Sequence, residues 1–156
     1  VSTLKVRARN WISSQSSYQE DGKAMLVVDY AQLLEFDHKN SSGSLGDNAK
    51  QLRAFGKEMG IPVILLVQLN EDYKTRSDKR PMRSDIAGSS VMFKDADGVI
   101  FCYRDEIFNE DTPDKGIMEL ILGKNRDGAQ GTVRASAEME YYRVRDIKTE
   151  FTSQAG

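Results

Sequence analysis

Apolar residues recur along the chain with two different periods, and the places where the period changes predict its elements. Leu4, Ala8, Trp11 and Ile12 repeat at helical spacing with Lys5, Arg7 and Arg9 off that face, which predicts an amphipathic helix over 3–13. A polar stretch ending at Gly22 separates it from Ala24-Met25-Leu26-Val27-Val28. That short apolar run predicts a strand over 24–29, buried on both faces. Leu45, Ala49, Leu52, Phe55 and Met59 hold one face of a helix over 44–59, with Ser44 and Asp47 as a capping box and Gly60 as the C-terminal cap. Pro62 is tolerated only at the start of the following strand, 63–68, so the order strand, helix, strand makes a βαβ unit. Residues 70–90 carry little apolar content and read as a basic loop, within which Ser84 caps a short helix bearing Ile86, Val91 and Met92. A third apolar strand spans 98–103. An acidic loop over 105–114 leads to a β meander over 116–145 that turns at Asp127-Gly128. The expected class is α/β: a twisted, mainly parallel sheet with right-handed crossovers and helices on both faces, finished by an antiparallel meander.

Composition narrows this picture. A chain of 156 residues with 39% hydrophobic content and 12 glycines is long enough for one core, so one domain is expected. With 22 basic against 24 acidic residues the net charge is −2, which excludes binding to nucleic acid by bulk charge alone. Cys102 stands alone, so no internal disulfide can form, and its mid-strand position reads as core. His38 has no cysteine partner and leaves no structural zinc set. A reducing, cytoplasmic setting is the expectation. The longest apolar runs, Ala24 to Val28 and Val63 to Val67, fall far short of the roughly 20 residues that span a bilayer, so no membrane partner is expected. The chain opens at Val1 without Met, as though cut from something longer.

Ligands of parallel α/β sheets sit at the carboxyl ends of the strands, where Asp29, Gln68 and the Arg104-Asp105 pair fall. A carboxylate at a strand's tip can order a hydrated Mg²⁺ beside a nucleotide phosphate; alone, it more often caps a turn. Gln68, with a donor and an acceptor, can sense a phosphate or water and relay its position to the next loop, or simply satisfy loop backbone groups. The two tips end consecutive strands, and that adjacency brings the functional reading level with the structural one. Lys124 and Arg126 project from a hairpin tip, either solvated or placed against a phosphate on a neighbouring subunit. Lys74, Arg76, Lys79, Arg80 and Arg83, with only Asp78 against them, could line a path for phosphate backbone or be solvated surface. No aromatic ladder beyond Tyr73 accompanies them, so base stacking is not expected. The P-loop pattern G-x-x-x-x-G-K-[ST] is absent from the chain.

These strings, in their order, resemble one family: the C-terminal, RecA-like ATPase domain of DnaB-type hexameric replicative DNA helicases. They are Leu26-Val27-Val28-Asp29-Tyr30-Ala31-Gln32-Leu33-Leu34, Lys57-Glu58-Met59-Gly60-Ile61-Pro62-Val63, Val67-Gln68-Leu69-Asn70, Asp78-Lys79-Arg80-Pro81, Ser84-Asp85, Asp95-Ala96-Asp97, Tyr103-Arg104-Asp105-Glu106 and Gly123-Lys124-Asn125-Arg126-Asp127-Gly128. The resemblance implies a P-loop NTPase-type sheet truncated on its N-terminal side, with ATP and Mg²⁺ as cofactors. Asp29 would be the Walker B carboxylate that binds the metal, and Gln68 the switch between nucleotide state and the DNA loops. Lys124 and Arg126 would be cations acting on the next subunit's γ-phosphate. Residues 74–90, with Gly88 and Ser90, would face single-stranded DNA in the channel of a ring of identical subunits. Primase or a helicase loader would be further partners.

Two departures from the family accompany the match. The Walker A strand, the strand with the catalytic Glu and the collar domain would all precede Val1, which leaves unpaired sheet edges between the Gln68 and Phe101 strands. The DNA loop reads Asp85-Ile86-Ala87-Gly88-Ser89-Ser90 where family members carry Arg-Glu-Ser-Gly after Asp-Leu, leaving backbone N–H groups for phosphate there. The parent activity implied is ATP-driven translocation on single-stranded DNA and duplex unwinding, with this stretch alone inactive. The rival reading is a P-loop-less adaptor that docks on DNA or on a helicase without catalysis.

Overall fold

The computed structural model describes residues 1–15, 22–34, 41–86 and 89–147, with the side chains of 41–44 and 89–90 outside that description. Two compact units emerge in place of the single core expected from length: Val1–Lys74 with Arg83–Ala96, and Thr75–Met82 with Asp97–Gly156.

The first unit holds helix α1 (Ser2–Ser14), strand β1 (Leu26–Val28), helix α2 (Ser41–Met59), strand β2 (Val63–Leu65) and helix α3 (Ser89–Asp95). β1 and β2 pair in parallel, Leu26 opposite Val63 and Val28 opposite Leu65, with α2 as the crossover. Both strands are shorter than their apolar runs, yet single bonds carry the ladder on. Leu66 N–H donates to Val28 O at 3.0 Å, and Ala31 N–H to Leu66 O at 2.8 Å. Phe55, at 1% exposure, anchors a cluster with Ile12 and Ile61, against which Ala8, Ala24, Leu26 and Met59 pack. The helical period of α1 and α2 is thus the device that builds this core.

Three sequence expectations change here. The β1 run is apolar at every position, but only one face is covered: Val28 and Ala31 are buried, whereas Met25, Val27, Ile64 and Leu66 are exposed. α2 begins at Ser41, three residues ahead of the expected 44, and the capping box expected at Ser44 rests on a side chain outside the described ones. Ile86 lies outside any helix and forms an antiparallel bridge with Leu69, while Asn70 N–H donates to Asp85 O at 2.7 Å. The C-terminus of α2 follows expectation. Gly60 adopts φ +65°, its N–H reaches Lys57 O, and Ile61 N–H reaches Gly56 O at 2.9 Å, the paired bonds of a Schellman cap.

The second unit is an antiparallel sheet in the order β3-β4-β5-β6: Gly98–Tyr103, Ile117–Asn125, Gly131–Glu138 and Arg143–Asp146. β3 therefore opens the meander, pairing antiparallel with β4. Its pleat buries Phe101 and Tyr103 and exposes Ile100 and Cys102, so Cys102 is not the core residue its apolar neighbours suggested. Desolvation pushes its thiol above the usual range, the direction opposite to an activated nucleophile. At Gly123 a Cβ would lie 2.5 Å from the Phe101 ring, so the buried ring requires glycine there. Among the described residues, no helix is long and apolar enough to cross a membrane.

Candidate nucleotide and nucleic-acid site

Asp29 follows β1 directly and Gln68 lies three residues past β2, so both sit at the carboxyl end of the parallel pair, and both are exposed. The connection between them is made by a residue to which the sequence reading assigned no role. Gln32 Nε2 donates to Gln68 O at 3.1 Å, and Gln68 N–H donates to Gln32 Oε1 at 3.2 Å. This two-point amide pair imitates a β-bridge and ties the turn after Asp29 to the backbone of Gln68. The only sequence signal was an amide three residues beyond the acid. Asp29 offers one exposed carboxylate, a donor of the kind that hydrated Mg²⁺ takes together with waters and substrate phosphates.

The basic loop is more internally engaged than its composition implied. In the first unit, Lys74 donates to Glu71 at 2.5 Å, which raises the Lys74 pKa and lowers that of Glu71. Arg83 stacks over the Phe93 ring at 4.9 Å. In the second unit Arg76 donates to the carbonyls of Asp78 and Arg80, at 3.4 and 3.0 Å, and Lys79 donates to Arg76 O at 3.2 Å. Arg80 bridges both carboxylate oxygens of Glu119 at 2.7 Å, pairs with Asp78, and lies 5.0 Å over the Tyr103 ring. Its hydrogen bonds to Glu119 drive its pKa further upward. Asp78 accepts the Arg80 backbone N–H at 3.0 Å, which lowers its own pKa and closes a tight turn. Gly88 lies outside the described residues, as do His38 and Ala87; Ser90 falls within α3, its side chain outside the description.

At the other candidate cluster, Lys124 lies on β4 opposite Val99 of β3, and Asn125 opposite Gly98. Arg126 is exposed; its backbone N–H donates to Asp97 O at 2.9 Å and its guanidinium pairs with the Asp97 carboxylate. The Arg104-Asp105 pair serves the fold. Tyr103 Oη donates to Asp105 at 2.5 Å, and burial together with that bond pushes the tyrosine to about 12. Arg104 and the Gly116 N–H both donate to Glu106, which they hold below the usual carboxylate range, the Gly116 bond first.

A parallel βαβ pair ending in an acid and an amide, followed by a basic loop and an antiparallel meander, defines the class of RecA-like ATPase domains. Residues 1–146 match the family described as DnaB-like helicase C terminal domain, and the chain belongs to that family. Among curated relatives it is 43% identical over 118 residues to the replicative DNA helicase DnaB of Buchnera aphidicola, covering 74% of this chain and 26% of that protein. It is 38% identical over 136 residues to the DnaB helicase of Geobacillus stearothermophilus, covering 85% and 30%. Among solved structures, one described as an ATPase domain superposes with a TM-score of 0.78 at 31% identity, over 89% of this chain and 51% of that one. A DnaB-like replicative helicase described with its interactions with primase gives 0.77 at 32%, over 89% and 36%. The chain spans under a third of the length of these curated relatives.

Proposed function

We propose that this chain is the part of an ATP-driven replicative helicase that senses the nucleotide and contacts single-stranded DNA at the interfaces of a ring of identical subunits. The observation that carries this reading is the placement of Asp29 and Gln68 beyond the same end of two parallel strands, with Gln32 fixing the second backbone to the turn after the first. Asp29 would order Mg²⁺ when a nucleotide is bound, and the metal would neutralise charge on the transferring phosphoryl group. Gln68 would face the same phosphate and transmit its presence through the loop that follows. Lys124 and Arg126 would act on the neighbouring subunit's phosphate. Primase is a partner this reading allows, on the strength of the helicase described with primase.

Because the chain holds no Gly-rich phosphate cradle, it is expected to show no ATP turnover by itself in a phosphate-release assay with single-stranded DNA. DNA-stimulated turnover by the isolated chain would overturn that, whereas salt-dependent DNA binding without nucleotide would favour the adaptor reading.

The loop contacts separate two roles. Lys79→Ala is expected to weaken single-stranded DNA binding and lower the salt slope by about 1, with the thermal midpoint unchanged. Arg80→Ala strands the nearly buried Glu119 carboxylate, side-chain exposure 12%, and should cost about 2 kcal/mol of stability as well. Fluorescence anisotropy across a salt series, paired with thermal melts, reads both. Equal melts for the two variants would refute the distinction.

A further inference from the structure

The parallel ladder between β1 and β2 ends where the chain after Asp29 turns in on itself. Residues Ala31–Leu33 form a 3₁₀ turn, in which Leu33 N–H donates to Tyr30 O at 3.0 Å and Leu34 N–H to Ala31 O at 3.1 Å. Backbone groups that a further rung would need are thereby engaged within the turn. Gln68 takes its rung from a side chain instead: its N–H donates to Gln32 Oε1 at 3.2 Å, and its carbonyl accepts from Gln32 Nε2 at 3.1 Å. Among side chains uncharged at neutral pH, only the carboxamides of Asn and Gln carry a donor and an acceptor on one carbon, and Gln has the longer reach. The identity of residue 32 is therefore matched to the task of holding both backbone groups of Gln68.

One residue beyond this clamp the chain enters a second junction. Leu69 bridges Ile86 in antiparallel register, and Asn70 N–H donates to Asp85 O at 2.7 Å. These two contacts close the chain between 70 and 86 into a loop with a neck. One leg of the neck, Asp85–Ile86, is buried in the first unit. The other leg, Leu69–Asn70, is half-buried to exposed and follows Gln68 directly. A shift of the Gln68 backbone therefore reaches the neck through about 7 Å of extended main chain, with no side-chain rotor in between. We propose that Gln32 is a positioning residue, whose two-point clamp passes a movement of the turn after Asp29 to the neck of the 70–86 loop. The inference rests on the reading of the Asp29 end as the nucleotide side and of the loop as the DNA side. It adds to that reading the joint between the two, and it places the joint on the backbone of Gln68 instead of its side chain.

Amide hydrogen exchange on the intact chain, read by NMR, tests the joint without reference to activity. Gln32→Met keeps the length of the side chain and removes both polar groups. The Gln68 amide should then exchange about fivefold faster or more, and so should the Asn70 amide, whose own bond to Asp85 the substitution does not touch. The Leu66 amide, bonded to Val28 O, should keep its rate and report an intact ladder. Gln32→Glu accepts but cannot donate, and it sets an anionic oxygen against Gln68 O; it should release Asn70 as the Met variant does, and it carries the comparison if Gln32→Met fails to fold. Unchanged Asn70 exchange in either folded variant would overturn the proposal. In an assembled ring containing this segment, Gln32→Met should lower the ratio of ATP turnover with single-stranded DNA to turnover without it by about fivefold or more. Gln68→Ala in the same ring separates the two levels of the argument. An undiminished ratio with Gln32→Met beside a reduced one with Gln68→Ala overturns the clamp alone. The reverse pattern keeps the clamp and removes the switch role of the Gln68 side chain, and full stimulation in both rings removes both.

Discussion

Replacing Phe55 with alanine is expected to unfold the first unit under conditions where the parent chain is folded. Phe55 is 1% exposed and occupies the centre of the cluster that joins α1, α2 and the Ile61 turn. The Arg9 guanidinium lies 5.5 Å over its ring, and Arg9 also pairs with Glu58 at 2.6 Å, so the phenyl group also seats α1 on α2. Phenylalanine-to-alanine changes in cores cost about 3–5 kcal/mol. Whole domains have about 5–15 kcal/mol in total. A unit with one open apolar sheet face sits at the lower end of that scale. Urea denaturation followed by far-UV circular dichroism should show the first transition lost or moved to very low urea, with the β3 to β6 sheet still protected in hydrogen exchange. Phe55→Leu keeps most of the volume and should cost about 1.5 kcal/mol or less. A Phe55→Ala chain with an unshifted urea midpoint would refute this account of the core.

Loss of Arg126 from an assembled ring containing this segment should produce the largest functional effect. An arginine that stabilises charge on a transferring phosphoryl group is worth about 10³–10⁵ in kcat. In the single chain its guanidinium rests on Asp97, an exposed pair that is weak and exchangeable. On the role proposed for it, a nucleotide phosphate presented by the next subunit would be the stronger partner for a planar, bidentate donor. Arg126→Ala is therefore expected to lower kcat by about a thousandfold with a much smaller change in KM for ATP, the pattern of a contact made in the transition state. Asp97→Asn weakens the resting pair with Arg126 and should leave kcat within a few-fold. Steady-state ATPase kinetics on the two variants provide the comparison, and a fall with Asp97→Asn as deep as that with Arg126→Ala would place the two residues in one structural role.

Helices and strands with a clean period were legible in the sequence. The spacing of Leu52, Phe55 and Met59 places α2, and Gly60 followed by Pro62 marks its end, because the left-handed cap and the missing proline N–H are local constraints. Strand β3 coincides with its apolar run for the same reason. What the sequence hid was the partner of each element. An apolar run such as Met25 to Val28 says that a strand is able to be buried on both faces, not that anything covers it, and here Met25 and Val27 remain exposed. Cys102 shows the same blindness: its neighbours are apolar, yet the pleat turns it outward beside Ile100. The placement of Asp29 and Gln68 at the carboxyl end of the parallel pair was legible because strand ends are local features. The Gln32 clamp and the Arg80–Glu119 bridge were not, since each joins residues more than thirty positions apart. Charge counting reads five cations in the loop as available, while the structure spends Arg80 on the meander.

The Arg80 bridge lands on Glu119, and Glu119 shares β4 with Lys124. Five residues of strand separate them, about 17 Å of backbone, stiffened by ladders to β3 on one side and β5 on the other. A strand so braced behaves as a connecting rod: tension applied to the turn that Arg80 holds shifts the rod lengthwise, and its far end carries the Lys124–Arg126 tip along. The positions of the turn that Arg80 holds and of the Lys124–Arg126 tip are consequently set by one rigid part.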